Sequence, residues 1–220
     1  MITIGASIMC ADQLNLKQEI DRLEQAKIDY LHCDVMDGQY VHNLAMGPYV
    51  LEQIKEYTSI PLDIHLAMVR PERFLREFID LGPGIISVHA ESTPHLHRAI
   101  SMIRDHGIKA SVALNPSSPI SYVKEIIHLL DMVLVMTVDP GFAGQRFVRA
   151  TLPKIAELKQ LCEDKGLDNM LIQIDGNIHS GTIPEAVAAG ANFLVGGTSA
   201  IFKGPDSDYG ELVAKMRTCV

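Results

Sequence analysis

His32 and Asp34 stand two residues apart in the run Tyr30-Leu31-His32-Cys33-Asp34-Val35-Met36-Asp37-Gly38. In an extended strand, residues i and i+2 share a face. An imidazole and a carboxylate therefore project together from an otherwise apolar strand. Buried without partners they cost free energy, and a divalent metal ion would satisfy both. Pro61-Leu62-Asp63-Ile64-His65-Leu66 is a second apolar run, with a histidine near its end. Leu171-Ile172-Gln173-Ile174-Asp175-Gly176 is a third, closing on a carboxylate. His32, Asp34, His65 and Asp175 together make a mixed nitrogen and oxygen set suited to zinc, iron(II), manganese or cobalt. A single strand histidine is more often a hydrogen-bonded core residue. Four such groups at matching places in three runs point instead to a site.

These runs belong to a regular alternation. Thr3–Met9, Tyr30–Met36, Pro61–Met68, Gly84–Ala90, Lys109–Asn115, Met132–Val138, Leu171–Gly176 and Phe193–Thr198 are predicted strands. Leu14–Ala26, Glu72–Leu81, Leu96–Arg104, Ser121–Leu130 and Thr151–Cys162 carry apolar residues at helical spacing. Pro71 and Pro119 mark helix starts, and Gly107, Gly166 and Gly190 mark helix ends. About eight strand–helix units without an inserted domain predict a parallel sheet closed into a single-domain (β/α)8 TIM barrel spanning residues 1–220. An open doubly wound sheet is the alternative. In a barrel, active groups gather at the C-terminal ends of the strands, where His32, Asp34, His65 and Asp175 fall. Cys33 alternates with His32 and Asp34 and is expected to face the core.

Glycine-containing turns follow the last three predicted strands: Pro140-Gly141-Phe142-Ala143-Gly144-Gln145, Asp175-Gly176-Asn177 and Gly196-Gly197-Thr198-Ser199. Glycine lets backbone approach a ligand closely and present N–H donors. Loops after the seventh and eighth strands are the recurrent phosphate site of this barrel. Tight turns that merely connect elements are the simpler explanation of any one of them.

The chain has 220 residues, 47% of them hydrophobic, and a formal net charge of −8. That balance argues against nucleic acid or an anionic membrane as partner. A small anion would have to be held by local donors. Cys10, Cys33, Cys162 and Cys219 form no CxxC pair and read as reduced thiols of a cytoplasmic protein. Met1-Ile2-Thr3-Ile4 lacks the pattern of a signal peptide, and no apolar stretch approaches a membrane span. His89 is expected in a hydrogen-bonded role at the end of a strand, or beside the ligand set. His95, His97, His106, His128 and His179 are expected to be exposed.

The sequence resembles the ribulose-phosphate 3-epimerase family along almost its whole length. The resemblance runs through Ala6-Ser7-Ile8-Met9, His32 to Gly38, Asn43, Pro61 to Leu66, Met136-Thr137-Val138-Asp139-Pro140-Gly141-Phe142-Ala143-Gly144-Gln145, Asp175-Gly176 and Ser199-Ala200-Ile201-Phe202. It implies a (β/α)8 barrel, and one divalent metal ion on His32, Asp34, His65 and Asp175. It further implies that Asp34 and Asp175 are the acid–base pair and that Ser7 contacts a sugar phosphate. Backbone at Gly176–Asn177 and Thr198–Ser199 would hold the phosphate, and a homo-oligomer is implied. Met36 and Met136 match two family methionines and, with Met9, would give apolar cover. The loop from Gly141 through Gly144 to Phe147 would close over the substrate, bringing Arg146 near the phosphate.

The implied reaction inverts C3 of a ketose phosphate. One carboxylate removes a proton from one face and the other delivers a proton to the opposite face of a cis-enediolate. A divalent cation lowers the energy of its oxygen charge. This sequence departs from the family at Ala67, where a methionine is usual, and at His42, Asn177 and Thr198. The Gly-Thr-Ser ending, the Gly-Phe-Ala-Gly-Gln loop and Arg70-Pro71 look more like the D-allulose-6-phosphate 3-epimerase branch. Five-carbon D-ribulose 5-phosphate (product D-xylulose 5-phosphate) and six-carbon D-allulose 6-phosphate (product D-fructose 6-phosphate) are thus both candidate substrates. Two other readings are a barrel decarboxylase of the orotidine-phosphate decarboxylase type and a non-catalytic sugar-phosphate binder. The decarboxylase pattern needs a lysine in the stretch Asp34-Val35-Met36-Asp37, which has none.

Overall fold

Apolar runs of four to eight residues, too short for buried helices, form the sheet of this protein. The computed structural model describes residues 2–219; Met1, where the segment read for a leader begins, lies outside them. The strands are β1 (Thr3–Ser7), β2 (Tyr30–Asp37), β3 (Leu44–Ala45), β4 (Leu62–Ala67), β5 (Ile85–His89), β6 (Lys109–Leu114), β7 (Met132–Met136), β8 (Leu171–Asp175) and β9 (Phe193–Gly196). They lie in the order β1-β9-β8-β7-β6-β5-β4-β2, and β1 pairs again with β2. All these pairings are parallel, so the sheet closes on itself. The expected single α/β barrel is therefore the observed architecture, and the open sheet is set aside. Strand β3 is an antiparallel addition to β2, pairing Met36 with Ala45.

Helices α1 (Leu16–Gln25), α2 (Pro48–Tyr57), α3 (Leu75–Asp80), α4 (Leu96–Arg104), α5 (Ser121–Lys124), α6 (Leu152–Asp164), α7 (Ile183–Ala188) and α8 (Tyr209–Thr218) surround the barrel. Outward-facing Leu31, Cys33 and Val35 of β2 and Leu62, Ile64 and Leu66 of β4 join the main core with Ile20, Leu23, Leu51 and Ile54 of the helices. Each such side chain contributes about 1.5–3 kcal/mol by leaving water. The period-two alternation that puts these residues outside puts a different set inside. Tyr30, Ile85, Met132, Leu171 and Phe193 pack together within the barrel. Two residues further along several of these strands the interior turns polar, with His32, Asp63, Ser87, Ser111 and Gln173 all fully buried.

Several boundaries differ from expectation. The Leu14–Ala26 stretch becomes a helical α1 only from Leu16. Residues Gln13–Asn15 form a 3-10 turn in which Asp12 accepts from Leu14 N, leaving Leu14 exposed. Ser121–Leu130 divides into α5 and a separate 3-10 turn over Ile127–Leu129. Helices α2, α7 and α8 were not among the predicted spans. A cap signal for α8 was present: Asp208 accepts from Glu211 N, the spacing of a helix N-terminus. No helix of the described residues is long and apolar enough to cross a membrane.

Candidate active site

Strand periodicity brings the proposed ligands to one mouth of the barrel. Register pairs Asp34 of β2 with His65 of β4, and Ser7 of β1 with His32 of β2. Asp175 ends β8 opposite Met136 of β7. One ligand atom each from His32, Asp34, His65 and Asp175 lies within 4.8 Å of every other. Two metal–ligand bonds end to end span about 4.4 Å, so the set is within a few tenths of an ångström of closing on one ion. The donors fit such an ion. His32 Nε2 is buried and has no hydrogen-bond partner, although Asp34 Oδ1 is 3.4 Å away and Asp175 Oδ2 3.9 Å. A divalent cation among these four groups would give that nitrogen the partner it lacks, so the cluster is able to coordinate one.

Each imidazole is held by its other nitrogen. His32 Nδ1 donates to Asp63 Oδ2 at 2.7 Å, and Gln173 Nε2 donates to the same oxygen at 2.5 Å. His65 Nδ1 lies 3.0 Å from Asp34 Oδ1, while its Nε2 lies 2.8 Å from His89 Nε2. Ser7 Oγ donates to Asp34 Oδ2 at 2.9 Å. Burial opposes charge on Asp34, but His32 and His65 overcome it and hold the carboxyl far below its usual range. Burial also opposes charge on His32, and Asp34 and Asp63 reverse the effect and raise its pKa. Asp175 behaves oppositely: burial, reinforced by the Asp34 charge, pushes it up to about 6. Two carboxyls facing one space thus have environments that separate their proton affinities. A bound cation would draw both toward ionisation.

Above these groups opens a cleft with about 60 Å³ of space for small molecules, open to solvent. Its lining includes Asp34, His65, Asp175 and every residue expected to meet substrate: Ser7, Met36, Met136, Gly141, Gly144, Gly176, Asn177, Thr198 and Ser199. Gly176 is required where it stands. It has φ +121°, and a Cβ there would lie 2.8 Å from Val138 N. Asn177 takes φ 54°, a left-handed conformation that asparagine tolerates, and its Oδ1 accepts from Ser199 Oγ at 2.7 Å. The two loops are thereby joined. Across the mouth, Asn43 Nδ2 donates to Gly141 O at 2.7 Å. Ala67, where the thioether is missing, is buried with Met36 and Val41, against which Met9, Tyr40 and Ala45 pack. An apolar wall persists there. Arg146 is exposed and does not line the cleft, so its expected approach to a phosphate is not seen in this arrangement.

Sequence reasoning assigned no site role to Asp63, Gln173 or Cys10. Asp63 shares a strand face with His65, two residues on, and that alternation was the available signal. His89 stands beside the ligand set, against His65. Burial pushes its pKa down to about 4. Of the remaining histidines, His179 is half-buried rather than exposed.

A model of the ribulose-phosphate 3 epimerase family matches residues 3–202. The chain is 42% identical to the ribulose-phosphate 3-epimerase of Bacillus subtilis (strain 168) over 217 residues, covering 99% of each. It is 41% identical to that of Synechocystis sp. over 218 residues, covering 98% of this chain and 93% of the relative. Among solved structures, the 3-keto-L-gulonate-6-phosphate decarboxylase of Vibrio cholerae superposes with a TM-score of 0.70 at 14% identity, covering 99% of this chain and 96% of that one. At that identity the likeness is one of fold alone, and it does not revive the decarboxylase reading. A family match over nearly the whole chain, with relatives alike from end to end, establishes that the chain belongs to the ribulose-phosphate 3-epimerase family and is an isomerase.

Proposed function

We propose that the chain interconverts D-ribulose 5-phosphate and D-xylulose 5-phosphate by inverting C3. The observation that carries this reading is the pair of carboxyls, Asp34 and Asp175, that line one cleft from separate strands. Strands β1 and β9 lie between β2 and β8, so the two groups approach a sugar from separated positions. One takes the C3 proton from one face and the other supplies a proton to the opposite face, the roles exchanging with reaction direction. His32, Asp34, His65 and Asp175 would hold a divalent cation, zinc, iron(II), manganese or cobalt. When bound, it supplies Lewis-acid stabilisation of the oxygen charge that develops as C3 loses its proton. Ser7 orients Asp34 through its hydrogen bond. Met9, Met36 and Met136 exclude water from the reacting carbon, which raises the basicity of a carboxylate there.

The phosphate fits the loops after β8 and β9. Backbone amides of Gly176, Asn177, Thr198 and Ser199 donate to no oxygen of the chain among the described residues. These residues line the cleft; the Thr198 amide faces the Cys10 thiol, and the amides of Gly176, Asn177 and Ser199 are the ones left to attract an anion without any net positive charge. A six-carbon substrate, D-allulose 6-phosphate, is the second reading. It rests on the Gly197-Thr198-Ser199 ending and the Gly141 to Gln145 loop, cleft residues that resemble the six-carbon branch. Side-by-side kcat/KM values decide between them. We expect a preference on the order of tenfold or more for D-ribulose 5-phosphate; the reverse preference overturns the substrate assignment. Turnover in deuterium oxide should exchange the C3 hydrogen. Full retention of that hydrogen contradicts the two-carboxyl mechanism.

A further inference from the structure

Both ring nitrogens of His65 are engaged. Nδ1 faces Asp34 Oδ1 at 3.0 Å, and Nε2 faces His89 Nε2 at 2.8 Å. Two imidazole nitrogens this close share a single proton: two protons would collide, and none would set lone pair against lone pair. An imidazole that gives its Nδ1 lone pair to a cation keeps its proton on Nε2. The shared proton therefore belongs to His65, and His89 Nε2 accepts it. His89 is then neutral, with its own proton on Nδ1. That atom is buried without a hydrogen-bond partner, 3.3 Å from Glu91 Oε2 and off the line of a well-formed bond.

Glu91 is fixed in turn. Ser118 Oγ donates to its Oε1, Asn115 N donates to the same oxygen at 3.1 Å, and the Tyr40 hydroxyl donates to Oε2 at 3.2 Å. The Tyr40 ring packs on His89 with centroids 4.7 Å apart, and the His65 and His89 rings are 4.9 Å apart. His89 is the last residue of β5, facing the barrel interior, and Glu91 follows two residues later in the loop.

We propose that Glu91, acting through His89, is the remote carboxylate that aims His65 at the cation and strengthens its hold, as Asp63 does directly for His32. The inference rests on the metal reading given above. The proton order His65 to His89 to Glu91 makes both partners positioning residues. They fix which His65 nitrogen carries the lone pair and keep the ring from turning. A carboxylate at the end of the line raises the donor strength of the ligating nitrogen.

Cobalt(II) titration of metal-free protein, followed by the visible absorption of the bound ion, tests the idea. We expect Glu91→Gln and His89→Phe to weaken cobalt binding about 10–100-fold, with little change in the melting temperature of the metal-free protein. His89→Gln keeps an oxygen that accepts the His65 proton and an amide N–H that can face Glu91, so it should fall between the parent and His89→Phe. Adding Glu91→Gln to His89→Phe, which has neither group, should cost nothing further. Affinity of Glu91→Gln within about twofold of the parent overturns the proposal, as does an undiminished Glu91→Gln penalty in the His89→Phe background. A loss of affinity that only tracks a loss of metal-free stability also overturns it. A parent that binds no cobalt overturns the metal reading, and this one with it.

Discussion

Asp34 and Asp175 illustrate how two identical side chains acquire different chemistry from their neighbours. Asp34 is surrounded by His32, His65 and the Ser7 hydroxyl. Asp175, with a side chain 18% exposed, meets burial and the Asp34 charge. Without a cation that placement destabilises the fold. The Asp175 pKa is raised from 3.8 to about 6, so its contribution is fully present below about pH 4 and is lost as pH rises through about 6. The penalty at neutral pH is on the order of 3 kcal/mol. Asp175→Asn should therefore raise the melting temperature of metal-free protein at pH 7.5 and leave it unchanged near pH 4. It should also cut kcat at least about 100-fold. A metal-free variant no more stable than the parent at pH 7.5 would remove the charge repulsion from the account. The four members of the His–Asp cluster were legible in the sequence because strand alternation and strand ends are local properties. His89 was placed beside them, but Asp63 and Glu91 were not, since their contacts depend on which residue of a neighbouring strand or loop stands opposite.

Among the elements, the turn after β8 is the most constrained. Thr137 donates through N and Oγ1 to Asp175 O at 2.8 and 2.9 Å, and through Oγ1 to Gly176 O at 2.6 Å. The chain end that carries Asp175 is thus tied to the end of β7. Gly176→Ala would press a methyl against Val138 at a φ of +121° and should cost at least about 2 kcal/mol. Melting temperature and KM for the sugar phosphate should both worsen; an unchanged KM in a folded variant would separate this turn from phosphate binding. The strands were readable as short apolar runs, and the turn glycines as punctuation. Helices α2 and α7 were harder. Helix α2 opens Pro48-Tyr49-Val50, residues that suit extended chain as well, and α7 has six residues, too few to establish a period. Packing against the barrel supplies what local preference lacks in both.

For the whole molecule, the closed sheet concentrates polar and charged groups inside one wall, and burying the carboxyls of Asp34, Asp63 and Asp175 there is costly without a counter-ion. A divalent cation that binds the native state alone stabilises it by about 2.7 kcal/mol at a free concentration 100 times its Kd. Chelator treatment should therefore lower the melting temperature and restored cation should recover it. A melting curve indifferent to both would argue against a structural share for the ion. Closure itself was legible from the count of alternating units. The internal polar layer was legible only at His32, because Asp63, Ser87, Ser111 and Gln173 come from separate strands whose mutual register appears only when the ring closes.

The ring is not equally strong all round. The register joins β8 to β9 only at Gln173–Phe193 and Ile174–Leu194. The loops after β8 and β9, proposed above to hold the phosphate, spring from this narrow seam, linked by Ser199 and Asn177. An occupant lodged between those loops would act as a clasp across the parallel join with the fewest paired residues. Amide hydrogens of β9 should then exchange faster than those of β5 and β6 in the free protein, and slow selectively when inorganic phosphate is added. Uniform exchange around the ring would sink that idea. Otherwise the ligand is itself a fastening of the container that receives it.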